Sequence, residues 1–177
     1  MEQEKARLFV GIELDEATRR TLQAWARALE REISGRYYAP DLYHVTLCFL
    51  GQTDLGRLPA IARAMEAAFR EPFSVRLGEL GAFKGGSVLY AGLRDCTELT
   101  RLAARLRDGL RAEGFALPQE PYVPHVTLAR HARGFERPQS APDGAFRVER
   151  IALFESARVD GRLCYTPLFR IPAEAEA

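Results

Sequence analysis

The sequence predicts an α+β fold of two similar lobes, and three observations lead there. Helical and strand-like stretches follow one another without the regular alternation of a parallel β-α-β protein. A shift of 81 residues lays one strand–helix–strand stretch over another. Two of the three histidines stand in the same tetrapeptide, His-Val-Thr-Leu, at equivalent places in those stretches.

The elements follow in chain order. Arg7 to Leu14 is a short apolar run and reads as a strand. Asp15 is placed to cap a helix whose apolar residues Leu22, Trp25, Ala26, Leu29 and Ile33 recur at helical spacing, with Gly35 closing it. Tyr43 to Leu50 reads as a buried strand. A second helix is expected from near Asp54, with Pro59 in its first turn and Ile61, Met65 and Phe69 on its inner face. Phe73, Val75 and Leu77 alternate as a strand, and Ser87 to Leu93 forms another. A third helix opens near Thr97, carries Leu99, Leu102, Leu106 and Leu110, and stops at Gly114. Tyr122 to Arg130 repeats the earlier buried strand. Arg133 to Gly144 is rich in proline and glycine and reads as a loop. Phe146 to Phe154 and Arg162 to Phe169 are the last strands. The whole of 1–177 reads as one two-lobed domain, with 171–177 a flexible, acidic tail.

The repeat is specific. In the 81-residue register Leu8 falls on Leu89, Phe9 on Tyr90 and Gly11 on Gly92. Arg20, Leu29, Glu32 and Pro40 fall on Arg101, Leu110, Glu113 and Pro121, and His44 to Leu47 on His125 to Leu128. That makes ten identities in 40 positions, where average composition would give about three. The strand–helix–strand order matches as well, which points to internal duplication.

Composition narrows the function classes. The 177 residues are 47% hydrophobic and 28% charged, ordinary for a globular protein. No apolar run approaches the roughly 18 residues that cross a bilayer, and Met1 to Arg7 has no apolar signal segment. Cys48, Cys96 and Cys164 are an odd, widely spaced set and read as free thiols of a cytoplasmic protein. Twenty-five basic against 24 acidic residues give a net charge of +1, too little for a protein that holds long duplexes by charge. All the basic residues except Lys5 and Lys84 are arginines, a bias that reads, together with the abundant alanine, as genome composition. With no heptad and no long amphipathic seam, a monomer is expected.

The two His-x-Thr strands carry the chemistry. Side chains at i and i+2 of a strand share a face. His44 and Thr46 therefore point together, as do His125 and Thr127, while Val45, Leu47 and Phe49 point to the core. If the two halves are related by a pseudo-two-fold, the pairs converge on one cleft. Two imidazoles and two hydroxyls suit a phosphate: one ring takes a proton, the other gives one, and the hydroxyls hold oxygens. Duller readings stand beside this one. A lone histidine in a strand is usually a hydrogen-bonded packing residue, and a strand threonine usually reflects β-propensity. His44, His125, His131 and Cys48 could be metal ligands, but none has local ligand spacing. Cys48, expected on the His44 face, could pair with His44 as a nucleophile, yet Ala129 stands at its counterpart. Phe9, Tyr43, Tyr90 and Tyr122 are candidate base contacts or packing residues. A non-catalytic RNA-binding domain is a further alternative, without an aromatic-rich strand to support it.

The chain resembles the two-histidine phosphoesterase superfamily, and within it the bacterial and archaeal RNA 2′,3′-cyclic phosphodiesterases, also called 2′-5′ RNA ligases. The resemblance runs from Arg7 to about Phe169. It rests on Arg7 to Ile12, on His44 to Gly51 and Pro124 to Arg130 with their two HxT motifs, and on Leu153 to Ser156 followed by Tyr165 to Leu168. It implies antiparallel sheets around a central catalytic groove, no metal or organic cofactor, and RNA 3′ ends or small cyclic nucleotides as substrate. It also implies His44 as proton donor, His125 as proton acceptor, and Thr46 and Thr127 as phosphate-binding residues. Arg130 matches a basic residue that often follows the second motif in the family, and is expected to bind phosphate. A regular strand, however, would aim a residue five places after His125 away from the site, so a bulge or the strand end must turn it back. The same parity makes Phe49 a core residue. Hydrolysis of a terminal 2′,3′-cyclic phosphate to a 2′-phosphate, with 2′-5′ joining as its reverse, is the implied reaction. The alternative is a two-histidine enzyme acting on small cyclic nucleotides, ADP-ribose cyclic phosphate or 2′-5′ oligonucleotides.

Overall fold

The computed structural model describes residues 4–172. Nine strands and three α-helices of these residues form two antiparallel sheets with helices packed between and around them. The first sheet joins β1 (Lys5–Glu13), β3 (His44–Asp54), β8 (Ile151–Val159) and β9 (Arg162–Ile171), in the order β3-β1-β8-β9. The second joins β2 (Ser34–Tyr37), β4 (Phe73–Phe83), β5 (Val88–Arg94), β6 (His125–Arg133) and β7 (Ala145–Val148), in the order β2-β6-β5-β4-β7. All the strand pairs are antiparallel. The α+β expectation is met, and the order β3-β1-β8-β9 is echoed by β6-β5-β4-β7.

The lobes are not the two halves of the sequence. β8 and β9, from the end of the chain, complete the sheet begun by β1 and β3, while β2 crosses to the edge of the other sheet. The strand expected over Phe146 to Phe154 is in fact two. Its Phe146 and Val148 belong to β7 and pair with β4, and its run Ile151 to Phe154, buried on both faces, pairs with β1. Residues 149–150 carry the chain from one sheet to the other.

The helices are α1 (Glu16–Leu29), α2 (Leu58–Ala68) and α3 (Thr97–Ala112). Asp15 caps α1 as expected, its carboxylate accepting from the Thr18 N–H at 2.7 Å. Gly35 does not close that helix; it sits in β2, where a Cβ would lie 3.2 Å from the Ala132 backbone. The close approach of this edge strand to β6 therefore favours glycine. The helix expected from Asp54 starts four residues later, after β3 has run on to Asp54 and a single 3₁₀ turn has followed. One continuous cluster of buried side chains runs from Leu8, Val45 and Leu47 of the first sheet, through the apolar faces of the helices, to Leu89, Val126 and Leu128 of the second. Of the expected tail over 171–177, Ile171 is the last residue of β9, and 173–177 lie outside the described residues, as does 1–3 of the charged N-terminal segment.

Candidate active site

The motif strands share one irregularity. In the β1–β3 ladder Gly11 faces Thr46 and Val10 faces Cys48, so Leu47 is an extra residue, a β-bulge. In the β5–β6 ladder Tyr90 faces Thr127 and Leu89 faces Ala129, so the bulge falls on Leu128, the residue 81 places on. The ladders themselves differ by two residues, since Gly11 faces Thr46 but Gly92 faces His125. A slip of two keeps every side chain on its face.

The bulge decides where the next residues point. His44 to Leu47 and His125 to Leu128 alternate as read from the sequence, with Val45 and Val126 fully buried at 0% exposure. Beyond the bulge the parity flips. Cys48 and Ala129 turn inward and are buried, while Phe49 and Arg130 turn out toward the cleft. Two sequence expectations are thereby corrected. Phe49 is no core residue but is 56% exposed at the cleft mouth, and Cys48 does not share the His44 face. The turn that Arg130 needed is supplied.

β3, at the edge of its sheet, lies against β6, and between them opens a cleft of about 470 Å³ lined by His44, Thr46, His125, Thr127 and Arg130. Each histidine is fixed in the same way. His44 Nδ1 lies 2.8 Å from the Leu42 carbonyl, and His125 Nδ1 lies 2.7 Å from the Val123 carbonyl. A carbonyl only accepts, so Nδ1 carries the proton in both rings and Nε2 is left for chemistry. His44 Nε2 lies 2.9 Å from Thr46 Oγ1. With the ring neutral, that hydroxyl donates to it.

Aromatic rings wall both imidazoles. Phe9 and Tyr165 lie 4.8 and 5.0 Å from His44, and Tyr90 and Phe83 lie 5.3 and 5.0 Å from His125. Phe9 and Tyr90 are repeat equivalents. Tyr90 lies over Gly81, where a Cβ would fall 2.3 Å from its ring, so only a glycine leaves room for the Phe83–Tyr90 stack beside His125. Such surroundings disfavour charge. Burial pushes His44 down to about 4, against the pull of the Leu42 carbonyl and helped by the facing His125. Burial likewise lowers His125, offset by the Val123 carbonyl and assisted by the Arg130 charge.

Arg7, Lys84 and Arg130 bring positive charge to the cleft, and no carboxylate among the described residues lines it. An anion is the ligand such walls favour. Arg130 is held at the rim, its Nε donating to Tyr38 Oη at 2.6 Å. Sequence reasoning missed Tyr38, Phe83, Lys84 and Tyr165. Lys84 had a signal, since a rare lysine precedes Gly85 and Gly86, and all three adopt left-handed backbone at the rim. Of the candidate base contacts, Phe9 and Tyr90 pack on the histidines, while Tyr43 is buried away from the cleft. His131 is exposed and outside it. Among the described residues no three His, Cys, Asp or Glu side chains gather as a metal site.

Comparison with known proteins gives a consistent picture. The sequence model of the 2′-5′ RNA ligase superfamily matches residues 15–160. The RNA 2′,3′-cyclic phosphodiesterase of Escherichia coli K12 is 30% identical over 170 residues, covering 94% of this chain and 96% of that protein. The crystal structure of E. coli LigT complexed with 3′-AMP superposes with a TM-score of 0.85 at 30% identity, covering 94% of this chain and 97% of that one. The crystal structure of TT0787 of Thermus thermophilus superposes with a TM-score of 0.77 at 28% identity, covering 93% and 96%.

Proposed function

The chain belongs to the 2′-5′ RNA ligase superfamily, and from that membership we propose that it is an RNA 2′,3′-cyclic phosphodiesterase, a hydrolase that opens a terminal 2′,3′-cyclic phosphate to leave a 2′-phosphate. The observation that carries the reading is the pair of equivalent imidazoles across one cationic cleft that no carboxylate of the described residues lines, each with Nδ1 tied to a carbonyl and Nε2 left for proton transfer.

In this reaction His125 Nε2 takes a proton from water as the water oxygen bonds to phosphorus. The P–O3′ bond breaks on the opposite side, and His44 Nε2 gives its proton to O3′. Thr46 and Thr127 donate to the non-bridging oxygens, with Arg130 adding charge at the rim. Protonation of His44 also frees Thr46. Once Nε2 carries a proton it no longer accepts the hydroxyl hydrogen, which turns to the phosphate instead. Both proton transfers belong to imidazoles, so the reaction calls for no metal or organic cofactor. All these groups come from one chain, which supports action as a monomer. No helix of the described residues is long and apolar enough to cross a membrane, and the three free cysteines support a reducing cytoplasm.

The pKa directions supply the test. In the free protein both imidazoles are pushed toward neutrality, whereas a bound phosphate anion favours their charged forms and raises both. A general acid works protonated and is lost as pH rises through its pKa. kcat/KM reports the free protein and kcat the complex. The alkaline limb of kcat/KM is therefore expected at lower pH than that of kcat. Turnover of an oligonucleotide with a 2′,3′-cyclic end, followed from about pH 4 to about pH 9 with and without EDTA, measures this. Coincident limbs, no turnover, or loss in EDTA restored by a metal would each contradict the reading.

A further inference from the structure

Beside the cleft, on the far side of Thr46, a second hollow of about 240 Å³ opens between Phe49, Phe83, Tyr122, Val123, Pro118 and the Arg107 side chain. It shares Thr46, Phe49, Phe83 and His125 with the main cleft, but His44 is not among its walls. The hollow is thus continuous with the reaction centre on one side only, that of His125. Its walls suit a base. Phe49 and Val123 are large apolar side chains left exposed at its edge, at 56% and 42%, and exposed aromatic rings are the surfaces on which bases stack. The Arg107 guanidinium lies 6.0 Å from the centre of the Tyr122 ring and is steadied by donating from Nη1 to the Glu120 carbonyl at 3.2 Å. It brings a planar cation to a wall that also carries Glu120 beside the apolar Phe49, Phe83 and Val123. The volume is below the roughly 300–1,000 Å³ of pockets for drug-sized ligands and matches one nucleobase with part of its sugar.

Resting on the hydrolase reading above, we infer that this hollow is the subsite for the nucleoside that carries the attacking oxygen: the 5′-hydroxyl end of a second RNA strand in 2′-5′ joining. The attacking and leaving oxygens lie on opposite sides of phosphorus, and the group that deprotonates the attacker is His125. Whatever is bonded to the attacking oxygen must occupy space on the His125 side. For water that space stays solvent. For a 5′-hydroxyl it holds a nucleoside, whose base stacks on Phe49 and meets Arg107. The step balances: O5′–H gives its proton to His125 Nε2 as P–O5′ forms, P–O3′ breaks, and O3′ takes the proton of His44 Nε2. The product is a 2′-5′ phosphodiester beside a free 3′-hydroxyl. Run backwards, a 2′-5′-linked dinucleoside returns a cyclic phosphate and a 5′-hydroxyl.

The test compares two activities in the same preparations of wild type, Arg107→Ala and Pro118→Trp. One is hydrolysis of an oligonucleotide with a 2′,3′-cyclic end. The other is joining of that end to a 5′-hydroxyl oligonucleotide, with cleavage of a 2′-5′-linked dinucleoside as its reverse. Pro118 is exposed, so a tryptophan there fills the hollow without entering the core and serves even if Arg107→Ala folds poorly. Joining and 2′-5′ cleavage are expected to fall about tenfold or more in both variants, the scale of one lost base stack. Hydrolysis of the cyclic end should stay within about twofold of wild type. Joining left unchanged in both variants, or hydrolysis falling in step with joining, would overturn the subsite. So would a wild type that opens cyclic ends but joins nothing at saturating acceptor, and in that case the hydrolase reading stands. A wild type that opens no cyclic end removes the hydrolase reading and the subsite together.

Discussion

His125→Ala and His44→Ala each lower kcat on a cyclic-phosphate-ended oligonucleotide by roughly 10²–10⁴-fold, the usual worth of one positioned proton transfer, while His131→Ala leaves it near wild type. The expectation follows from position. Both motif histidines line the cleft with Nδ1 committed to a backbone carbonyl, whereas His131 is exposed beyond the second bulge and outside the cleft. Neither motif ring is a fully buried packing residue, so removing it should leave the fold intact, which the unfolding midpoint of each variant checks. In the proposed reaction the rings act as a unit on one phosphate, and the double variant should therefore be little worse than the more damaged single one. A loss in His131→Ala equal to the other two, at unchanged stability, would show that the cleft has been misassigned.

Val126→Asp is expected to have the largest effect on stability. Val126 lies one residue from His125 but on the opposite face, 0% exposed within the continuous core. A carboxylate there finds no partner among its apolar neighbours Leu89, Ala91 and Leu128. Burying it unpaired costs several kcal/mol, a large part of the roughly 5–15 kcal/mol that holds a typical domain together. Chemical denaturation should find the variant unfolded or molten under conditions where wild type is native. Thr127→Asp, one position on and facing the cleft, should fold and lose only activity. A Val126→Asp protein with a wild-type midpoint would mean that the faces of β6 are the reverse of those described.

These two results depend on parts of the molecule that were unequally legible in the sequence. Strand parity from His44 to Leu47 and from His125 to Leu128 was plain, because one buried face imposes a period of two. The duplication and the convergence of the two histidines were plain for the same reason, since the repeat carried both motifs. The parity of Phe49, Cys48 and Arg130 was not legible. It turns on one extra residue per strand, and Leu47 and Leu128 look like any other leucine in a strand. Only the ladder opposite, where Val10 faces Cys48 and Leu89 faces Ala129, reveals them. The completion of the first sheet by β8 and β9 was equally hidden, for pairing between Leu8 and Glu155 leaves no local trace. Tyr165 belongs to the site through such a distant pairing and Phe83 through the β4–β5 hairpin laid beside β6, and no spacing near either histidine points to them.

In the proposed reaction His44 protonates the leaving O3′ while His125 deprotonates the attacking oxygen. Changing the leaving atom separates the two roles. A 2′,3′-cyclic end in which sulfur bridges phosphorus to C3′ departs as a thiolate, whose conjugate acid has a pKa of about 8.5, and needs no proton. Turnover of this substrate and of its oxygen parent is measured for wild type, His44→Ala and His125→Ala. The His44→Ala defect, roughly 10²–10⁴-fold on oxygen, is expected largely to disappear on sulfur, whereas the His125→Ala defect persists on both. Recovery of His125→Ala with His44→Ala still impaired would reverse the two roles, and recovery of neither would show that no imidazole protonates O3′.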